Sequence, residues 1–273
     1  MTQRELIGRG RTADLVTWDG GRALKLFHEW VSAEAIEREA RINRAVHAAG
    51  LPVPQVFDRV TLDGREGIVY ERVQGPTLSQ RMFARPWLIT RYARWMADLH
   101  AAMHAARVDG LPSQRDRLRW KIEHADPLPD DWRAAALVAL DRLPGGSAVC
   151  HGDFHPENIL MAARGPLIID WIDTTLGNPL ADVARTALLL STGESPNEGP
   201  VARWLSHRVR GVIHAAYVRR YCAQTGVTQA AIDAWALPVT AARLSEHIVE
   251  ETERLLALIR GLVASHNPTA CRL

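Results

Sequence analysis

Three polar residues in one short stretch have the types and spacing to do chemistry. Within HGDFHPENILMAARGPLIIDW, residues 151–171, Asp153 and Asn158 lie five apart and Asp170 follows twelve later. The second half reads strand, turn at Arg164-Gly165-Pro166, strand. Such a hairpin brings Asn158, just before one strand, beside Asp170 at the end of the next. An amide oxygen beside a carboxylate suits a hard cation such as Mg²⁺, which takes oxygen ligands. Asp153 precedes the hairpin and is placed to orient an attacking hydroxyl. Together these groups form the set that phosphoryl transfer uses. A single Asp here would read as a turn residue or a helix cap, but three polar groups at these spacings between apolar strands do not.

Two further features would serve the same chemistry. In LIGRGRTADLV, residues 6–16, Gly8 and Gly10 fall in a turn between two predicted strands, with Thr12 after them. Such a loop offers backbone N–H groups and a hydroxyl to phosphate oxygens. The third glycine of GxGxxG is missing, since Ala13 and Asp14 stand there, and an ordinary β-turn is the competing reading. Lys25 lies on the next strand and alternates with Leu24 and Leu26, so it points to the opposite face. A lone charge there needs a partner, and Glu39 or Glu37 in the following helix can supply it. Only two of the 33 basic residues are lysine, Lys25 and Lys121. A retained lysine suits a site that needs a compact point charge instead of a planar fork, although with two lysines chance competes.

These residues need elements to position them. Residues 13–18 and 22–27 flank Asp19-Gly20-Gly21, and 54–61 and 67–73 flank Asp63-Gly64; both read as hairpins. Between the pairs, Ser32 opens a helix as N-cap, Glu34 favours its first turn, and Gly50 followed by Pro52 stops it. Beyond Gly75-Pro76 the pattern turns helical. Leu88, Tyr92, Trp95, Leu99 and Met103 recur at helix spacing as core residues. Further helices are expected over 114–124, 131–142, 179–191, 201–225 and 238–263, with short strands at 147–150, 159–161 and 167–170. TGESPNEG at 192–199 reads as a loop. The fold class is therefore α+β: a small β-rich N-lobe with one helix, residues 1–73, and a larger, mainly helical C-lobe, residues 74–273.

Composition narrows the function classes. The chain has 273 residues, 47% hydrophobic and 23% charged, with a net charge of +2, which argues against nucleic acid or an anionic membrane as partner. No apolar run reaches the length of a membrane span, and MTQRELIGRG lacks the apolar stretch of a signal peptide, so a cytoplasmic location is expected. The three cysteines, Cys150, Cys222 and Cys271, form no CxxC pair, which disfavours a disulfide framework or a thiolate zinc site.

The chain resembles the aminoglycoside phosphotransferase/choline kinase family, whose members share the bilobal protein-kinase-like fold. HGDFHPEN matches that family's catalytic-loop pattern HxDxxxxN, IIDW matches its metal-binding strand end, and LGNPLADVA is similar to the glycine, proline and aspartate run that follows. The resemblance implies an ATP- and Mg²⁺-dependent phosphotransferase. Asp153 would be the catalytic base, and Asn158 and Asp170 would hold Mg²⁺. Lys25, paired with Glu39, would contact the phosphates, which Gly8, Gly10 and Thr12 would line. Glu71 and Val73 would offer backbone groups to adenine. Asp182 and His151 would support the catalytic loop, and His155 would touch the γ-phosphate.

Three other readings compete. A metallohydrolase would use His151, Asp153 and His155 as an HxDxH ligand set. A pseudokinase would bind nucleotide without turnover, but the intact Asp153, Asn158, Asp170 and Lys25 set argues against it. A protein kinase would carry DFG, whereas Trp171 and Ile172 follow Asp170, and no APE-type segment is present. The short stretch before the next helix leaves little room for an activation loop and favours a small-molecule hydroxyl acceptor. Glu246, Glu250 and Glu253 would share one face of the last helix, and Asp173 would add charge at the rim. These suggest a cationic acceptor, such as an amino sugar or amino alcohol, if that face lines the acceptor site; a solvated outer face is the competing reading.

Overall fold

The structure, a computed structural model, describes residues 4–10, 12–192 and 200–266. Cys271 and all but the first residue of the 192–199 segment lie outside the described residues. In chain order the elements are β1 (Leu6–Arg9), β2 (Ala13–Trp18), β3 (Arg22–Phe27), α1 (Ala33–Ala48), β4 (Val56–Leu62), β5 (Arg65–Glu71), α2 (Leu78–Ala84), α3 (Ile89–His104), α4 (Gln114–Glu123) and α5 (Asp130–Arg142). They continue as β6 (Ala148–Cys150), β7 (Ile159–Ala162), β8 (Gly165–Ile168), β9 (Thr175–Gly177), α6 (Pro179–Thr192), α7 (Pro200–Thr225), α8 (Gln229–Asp233), α9 (Ala236–Arg243) and α10 (Val249–His266). A sheet-forming N-terminal part and a helical C-terminal part make this the expected α+β fold. Among the described residues no helix is long and apolar enough to cross a membrane.

Two compact units divide the chain: Met1–Ala84, Arg107–Gly110 and Pro156–Asp173 form the first, and Arg85–Ala106, Leu111–His155 and Thr174–Leu273 the second. The first unit is thus built on residues well beyond 1–73. It contains an antiparallel five-stranded sheet in the order β1-β2-β3-β5-β4. Strand alternation sends Leu24 and Leu26 to one face with Val69, and Phe27 to the other, where Ile36 and Ala40 of α1 pack with Ile68 and Tyr70. Lys25 shares the α1 face with Phe27 by the same alternation. Helix α1 begins where expected, with the Ser32 hydroxyl accepting the Ala35 N–H at 3.3 Å. It ends as Gly50 turns left-handed (φ 79°) and its N–H reaches the His47 carbonyl.

The hairpin of β7 and β8 belongs to this first unit. Ala162 pairs with Gly165, so the turn is Ala163-Arg164, and Gly165 and Pro166 lie in the strand instead of the expected turn. Pro166 is tolerated because its pair with Met161 exchanges no ladder hydrogen bonds: Met161 turns its N–H outward to the Pro76 carbonyl, and the Pro166 nitrogen opposite it likewise has no ladder bond to donate. The second unit gathers α3 to α10 with the short β6–β9 ladder. At its centre is α6, with ten of 14 residues buried.

Three local expectations need correction. Gly8 lies inside β1, at an irregularity in its pairing with β2; only Gly10 sits in the turn. The single helix over 238–263 is two helices, α9 and α10, separated by a 3₁₀ turn at Leu244–Glu246 and by His247, whose φ is 52°. No Gly or Pro marks that break. It is held instead by Arg243, which bonds forward to both Glu246 and Glu251. The elements α2, α8 and β9 were not expected from the sequence, being short and weakly patterned.

Gly75 shows why the chain after β5 must run where it does. A Cβ there would lie 2.3 Å from the Met161 carbonyl oxygen, at a φ of 150°. Gly75→Ala should therefore cost about 2–3 kcal/mol, read as a lower urea midpoint. Gly8, where a Cβ would meet open space, should tolerate alanine with a change of about 0.5 kcal/mol or less.

Candidate active site

In the first unit, strand β3 and helix α1 place Lys25 against Glu39: Nζ donates to Oε1 at 2.6 Å. Of the two carboxylates available in sequence, Glu37 goes to Arg59 instead. The Tyr70 hydroxyl donates to the same Glu39 oxygen at 2.9 Å, while Oε2 is buried with no partner among the described residues. Glu39 is 2% exposed, so its charge is balanced almost wholly through Lys25. Lys25 also lies 3.3 Å from Asp170 Oδ1. Burial pulls the Lys25 pKa down, but the two carboxylates outweigh it and hold the amine above its usual value. Lys25 is therefore a fixed cation.

Asp170 has φ 65°, a left-handed backbone for a non-glycine residue. It is set between two anchors. The Ile169 N–H donates to the Asn158 carbonyl at 3.0 Å, and the buried Trp171 indole donates to the Ile168 carbonyl at 2.9 Å. The chain is thus pinned on both sides, and the Asp170 carboxylate is left 42% exposed. The Asn158 amide and the Asp170 carboxylate make an all-oxygen donor set on one hairpin end, which fits Mg²⁺ and disfavours a softer ion.

The glycine turn belongs to the same unit. The Gly10 N–H donates to the Ala13 carbonyl at 2.8 Å, and the Thr12 carbonyl accepts from His28. Asp14 is engaged by Arg65 at 3.0 Å. At the end of β5, the Glu71 N–H donates to the Gln55 carbonyl. Its side chain holds Arg164. Val73 is half-buried two residues on.

The second unit holds the 151–155 loop. Asp182, on α6, is buried and accepts the His151 N–H at 2.6 Å and the Gly152 N–H at 2.8 Å. His100 and His104, one turn apart on α3, approach the same carboxylate through Nε2 at 3.0 and 3.3 Å. Their Nδ1 atoms meet the Tyr217 and Tyr221 hydroxyls of α7 at 2.6 and 2.8 Å. Burial pushes Asp182 up, but the two histidines override it, and its pKa lies well below the carboxylate range. Burial, with His104 nearby, pushes His100 down to about 3. A neutral imidazole facing an ionised carboxylate must carry its proton on Nε2, so the tyrosine hydroxyl donates to Nδ1.

Asp153 projects from this loop. His155 Nε2 is 3.3 Å from its Oδ2, and Arg185 Nη2 is 3.4 Å from its Oδ1. Burial raises the Asp153 pKa, but the His155 hydrogen bond and the Arg185 charge win, so it stays ionised far below neutral pH. His151 accepts the Asp153 N–H on Nδ1 at 3.2 Å. Among the described residues the group of His, Cys, Asp or Glu close enough to share an ion is His100, His104 and Asp182, not His151, Asp153 and His155. Hydrogen bonds account for all four ring nitrogens of that histidine pair. The HxDxH metal reading therefore has no ligand set to rest on.

The acidic residues proposed for an acceptor are not brought together on one helix. Glu246 sits in the 3₁₀ turn and bonds Lys121 at 3.2 Å, Arg185 at 2.7 Å and Arg243. Glu250 is exposed on α10, and Asp173 is half-buried in the first unit. Sequence reasoning missed Arg185, whose signal was its position one turn after Asp182. The sequence reading also assigns no role to His100, His104, Tyr217 and Tyr221, although both pairs repeat at i, i+4.

The sequence model of the phosphotransferase enzyme family (APH) matches residues 8–236, and the chain belongs to that family. It is similar to an aminoglycoside 3'-phosphotransferase of Streptomyces fradiae, 30% identical over 65% of this chain and 75% of that one. It is also similar to acyl-CoA dehydrogenase family member 10 of Mus musculus, 27% identical over 75% of this chain. The chain spans only about a fifth of the length of that relative, 21%. Its fold is that of a thermostable mutant of aminoglycoside phosphotransferase APH(4)-Ia solved as a ternary complex with AMP-PNP and hygromycin B. That likeness has a TM-score of 0.66 at 18% identity, covering 100% of this chain and 95% of the other. A choline/ethanolamine kinase family protein of Mesorhizobium loti shares the fold, with a TM-score of 0.58 at 18% identity, over 99% and 82%. The expected family and its kinase-like α+β fold are thus shown.

The buried His100 gives a pH prediction. Its folded pKa lies below its unfolded value, so the unfolded state takes up the extra proton and stability falls as pH drops from about 6.5 toward 4. The slope for one proton is about 1.4 kcal/mol per pH unit. His214 is also pushed down by burial, so the check is a difference. Urea midpoints at pH 7.5 and 5 should converge in His100→Gln relative to wild type. An unchanged pH slope in that variant would contradict a neutral buried His100.

Proposed function

We propose that the chain is an ATP- and Mg²⁺-dependent kinase that transfers the γ-phosphate of ATP to a hydroxyl of a small molecule. The observation that carries this reading is Lys25, held at 2.6 Å by Glu39 and at 3.3 Å by Asp170. One fixed cation links the strand, the helix and the metal-binding hairpin end of a phosphotransferase family member. In this reading residues 1–73 serve the nucleotide, and 74–273 carry the loop and the acceptor site. The cytoplasm, where ATP is available, is the compartment it implies.

Each residue then has a task. Lys25 neutralises phosphate charge, and Gly8, Gly10 and Thr12 line the phosphates. The Glu71 carbonyl and the Val73 backbone take the adenine. Asn158 and Asp170 hold Mg²⁺, which when bound offsets charge on the phosphates. His155 reaches the γ-phosphate. Asp153, ionised at neutral pH, orients the acceptor hydroxyl and takes its proton late, as bond formation makes that proton acidic. Positioning and electrostatics supply most of the rate. His151 and Asp182 keep the loop in shape.

For the acceptor, an amino sugar or amino alcohol is the class that the aminoglycoside phosphotransferase relatives support. Asp173 and Glu250 remain candidate carboxylates for it. Glu246 supports it less, because its charge already faces three cations.

The test combines binding and turnover. In calorimetry, Mg²⁺ should tighten nucleotide binding in the wild type, and Asp170→Ala and Asn158→Ala should lose that gain, Asp170→Ala more fully because it removes a charge. With γ-labelled ATP and a panel of hydroxylated amines, sugars and antibiotics, Asp153→Asn should lower kcat at least about 100-fold with nucleotide affinity unchanged. Equal affinity with and without Mg²⁺ in the wild type, or near-normal turnover in Asp153→Asn, would overturn the reading.

A further inference from the structure

We propose that Arg185 is the positioning residue for Asp153, and that Glu246 is the counter-ion that aims Arg185 instead of a ligand for the acceptor. The proposal rests on the assignment of Asp153 as the base. Arg185 lies one turn after Asp182 on α6, so both side chains leave the same face of one helix. Asp182 takes the loop's N–H groups at His151 and Gly152. Arg185 gives to the loop's opposite sign: Nε donates to the Gly152 carbonyl at 3.2 Å, and Nη2 to Asp153 Oδ1 at 3.4 Å. The two residues form a two-charge clamp. The acid grips donors and the base grips acceptors, over three consecutive loop residues.

Helix α6 alone does not determine where the guanidinium points. Arg185 is long and flexible, and its side chain is only 10% exposed. Glu246 accepts from the same Nη2 at 2.7 Å, a shorter contact than the one to Asp153. Glu246 is itself fixed from α4 by Lys121 and from α9 by Arg243, and Arg243 is locked by Glu251 at 2.8 Å. The carboxylate is the hub of three cations, each on a different helix. A group with that many cations on it is poorly placed to bind a cationic acceptor, since an incoming amine would have to displace an arginine or the lysine. Its evident work is to stop Arg185 from swinging out of reach of Asp153.

The titratable and charged groups facing Asp153 in this unit are His151 and His155 from its own loop, Arg185 from α6 and Arg243 from α9. Arg185 reaches Asp153 directly, Nη2 to Oδ1 at 3.4 Å, whereas Arg243 spends its guanidinium on Glu246 and Glu251 and acts on Asp153 through its charge. A planar fork is needed for this role. Lysine carries the charge but cannot meet the Gly152 carbonyl, Asp153 and Glu246 together.

The experiment uses the full chain as wild type, Arg185→Met, Arg185→Lys and Glu246→Gln, with Asp153→Asn to assign the Asp153 resonance. Two quantities are read: the carboxyl titration of Asp153 by ¹³C NMR, and kcat, acceptor KM and ATP affinity. Arg185→Met should raise the Asp153 titration by about one unit or more and lower kcat roughly tenfold to a hundredfold, with ATP affinity unchanged. Arg185→Lys should restore most of the titration but not the full kcat. Glu246→Gln should lower kcat several-fold and leave acceptor KM unchanged. An Asp153 titration unmoved in Arg185→Met would overturn the proposal. So would a Glu246→Gln enzyme whose acceptor KM rises while kcat holds, because Glu246 would then be an acceptor ligand. Should no acceptor be phosphorylated by the wild type, the kinase reading fails, and the NMR arm still decides whether Arg185 positions Asp153.

Discussion

One buried carboxylate governs the geometry of the loop that carries Asp153. Asp182 is 2% exposed, and an ion so placed costs several kcal/mol unless donors surround it. Four do: the amides of His151 and Gly152, and the Nε2 atoms of His100 and His104. The ion is satisfied only if the loop runs where it does. Gly152 adopts φ 81° there, a conformation that glycine reaches without strain. Helix α6 supplies the carboxylate, α3 the imidazoles and α7 the phenols that fix the imidazole protons. Three helices are thus committed to one loop conformation.

The first unit repeats the logic with a cation. Lys25 is largely buried and held by two carboxylates, and Glu39 is in turn held by Lys25 and Tyr70. Removing Lys25 would leave Glu39 a buried, largely uncompensated charge, a change that commonly costs 3–5 kcal/mol, or about that. Lys25 is thus a stability determinant in its own right, and the Lys25–Glu39 pair is one structural unit.

Much of this was legible in the sequence. The hairpin β2–β3 ends on the residues expected, because Asp19-Gly20-Gly21 is a strong turn signal between alternating strands. Helix α1 was legible from Ser32, Glu34 and Gly50, and the loop and hairpin motif from the spacing of Asp153, Asn158 and Asp170. The failures have local causes. Nothing in the chemistry of Ser245-Glu246-His247 announces a break, because the break is made by ion pairs from Arg243 that only the fold brings into range. The β7–β8 turn differs from the expectation because Gly and Pro are usual turn residues, whereas here Pro166 stands at a strand position where no ladder hydrogen bond is asked of its nitrogen. Arg185 was invisible because one arginine among many carries no signal until Asp182 is known to face the loop. His100 and His104 lie in the interior of the second unit; what the sequence could not show is that their polar edges converge on an ion.

Asp182 holds the 151–153 loop through two amide hydrogen bonds, as firmly as the helices hold themselves. Native-state hydrogen exchange of the His151 and Gly152 amides tests it most directly. In the wild type both should exchange as slowly as the interior amides of α6, with the free energy of global unfolding, and in Asp182→Asn both should exchange far faster while the five-stranded sheet keeps its protection. Fast exchange of those two amides in the wild type, at rates typical of a surface loop, would contradict the account.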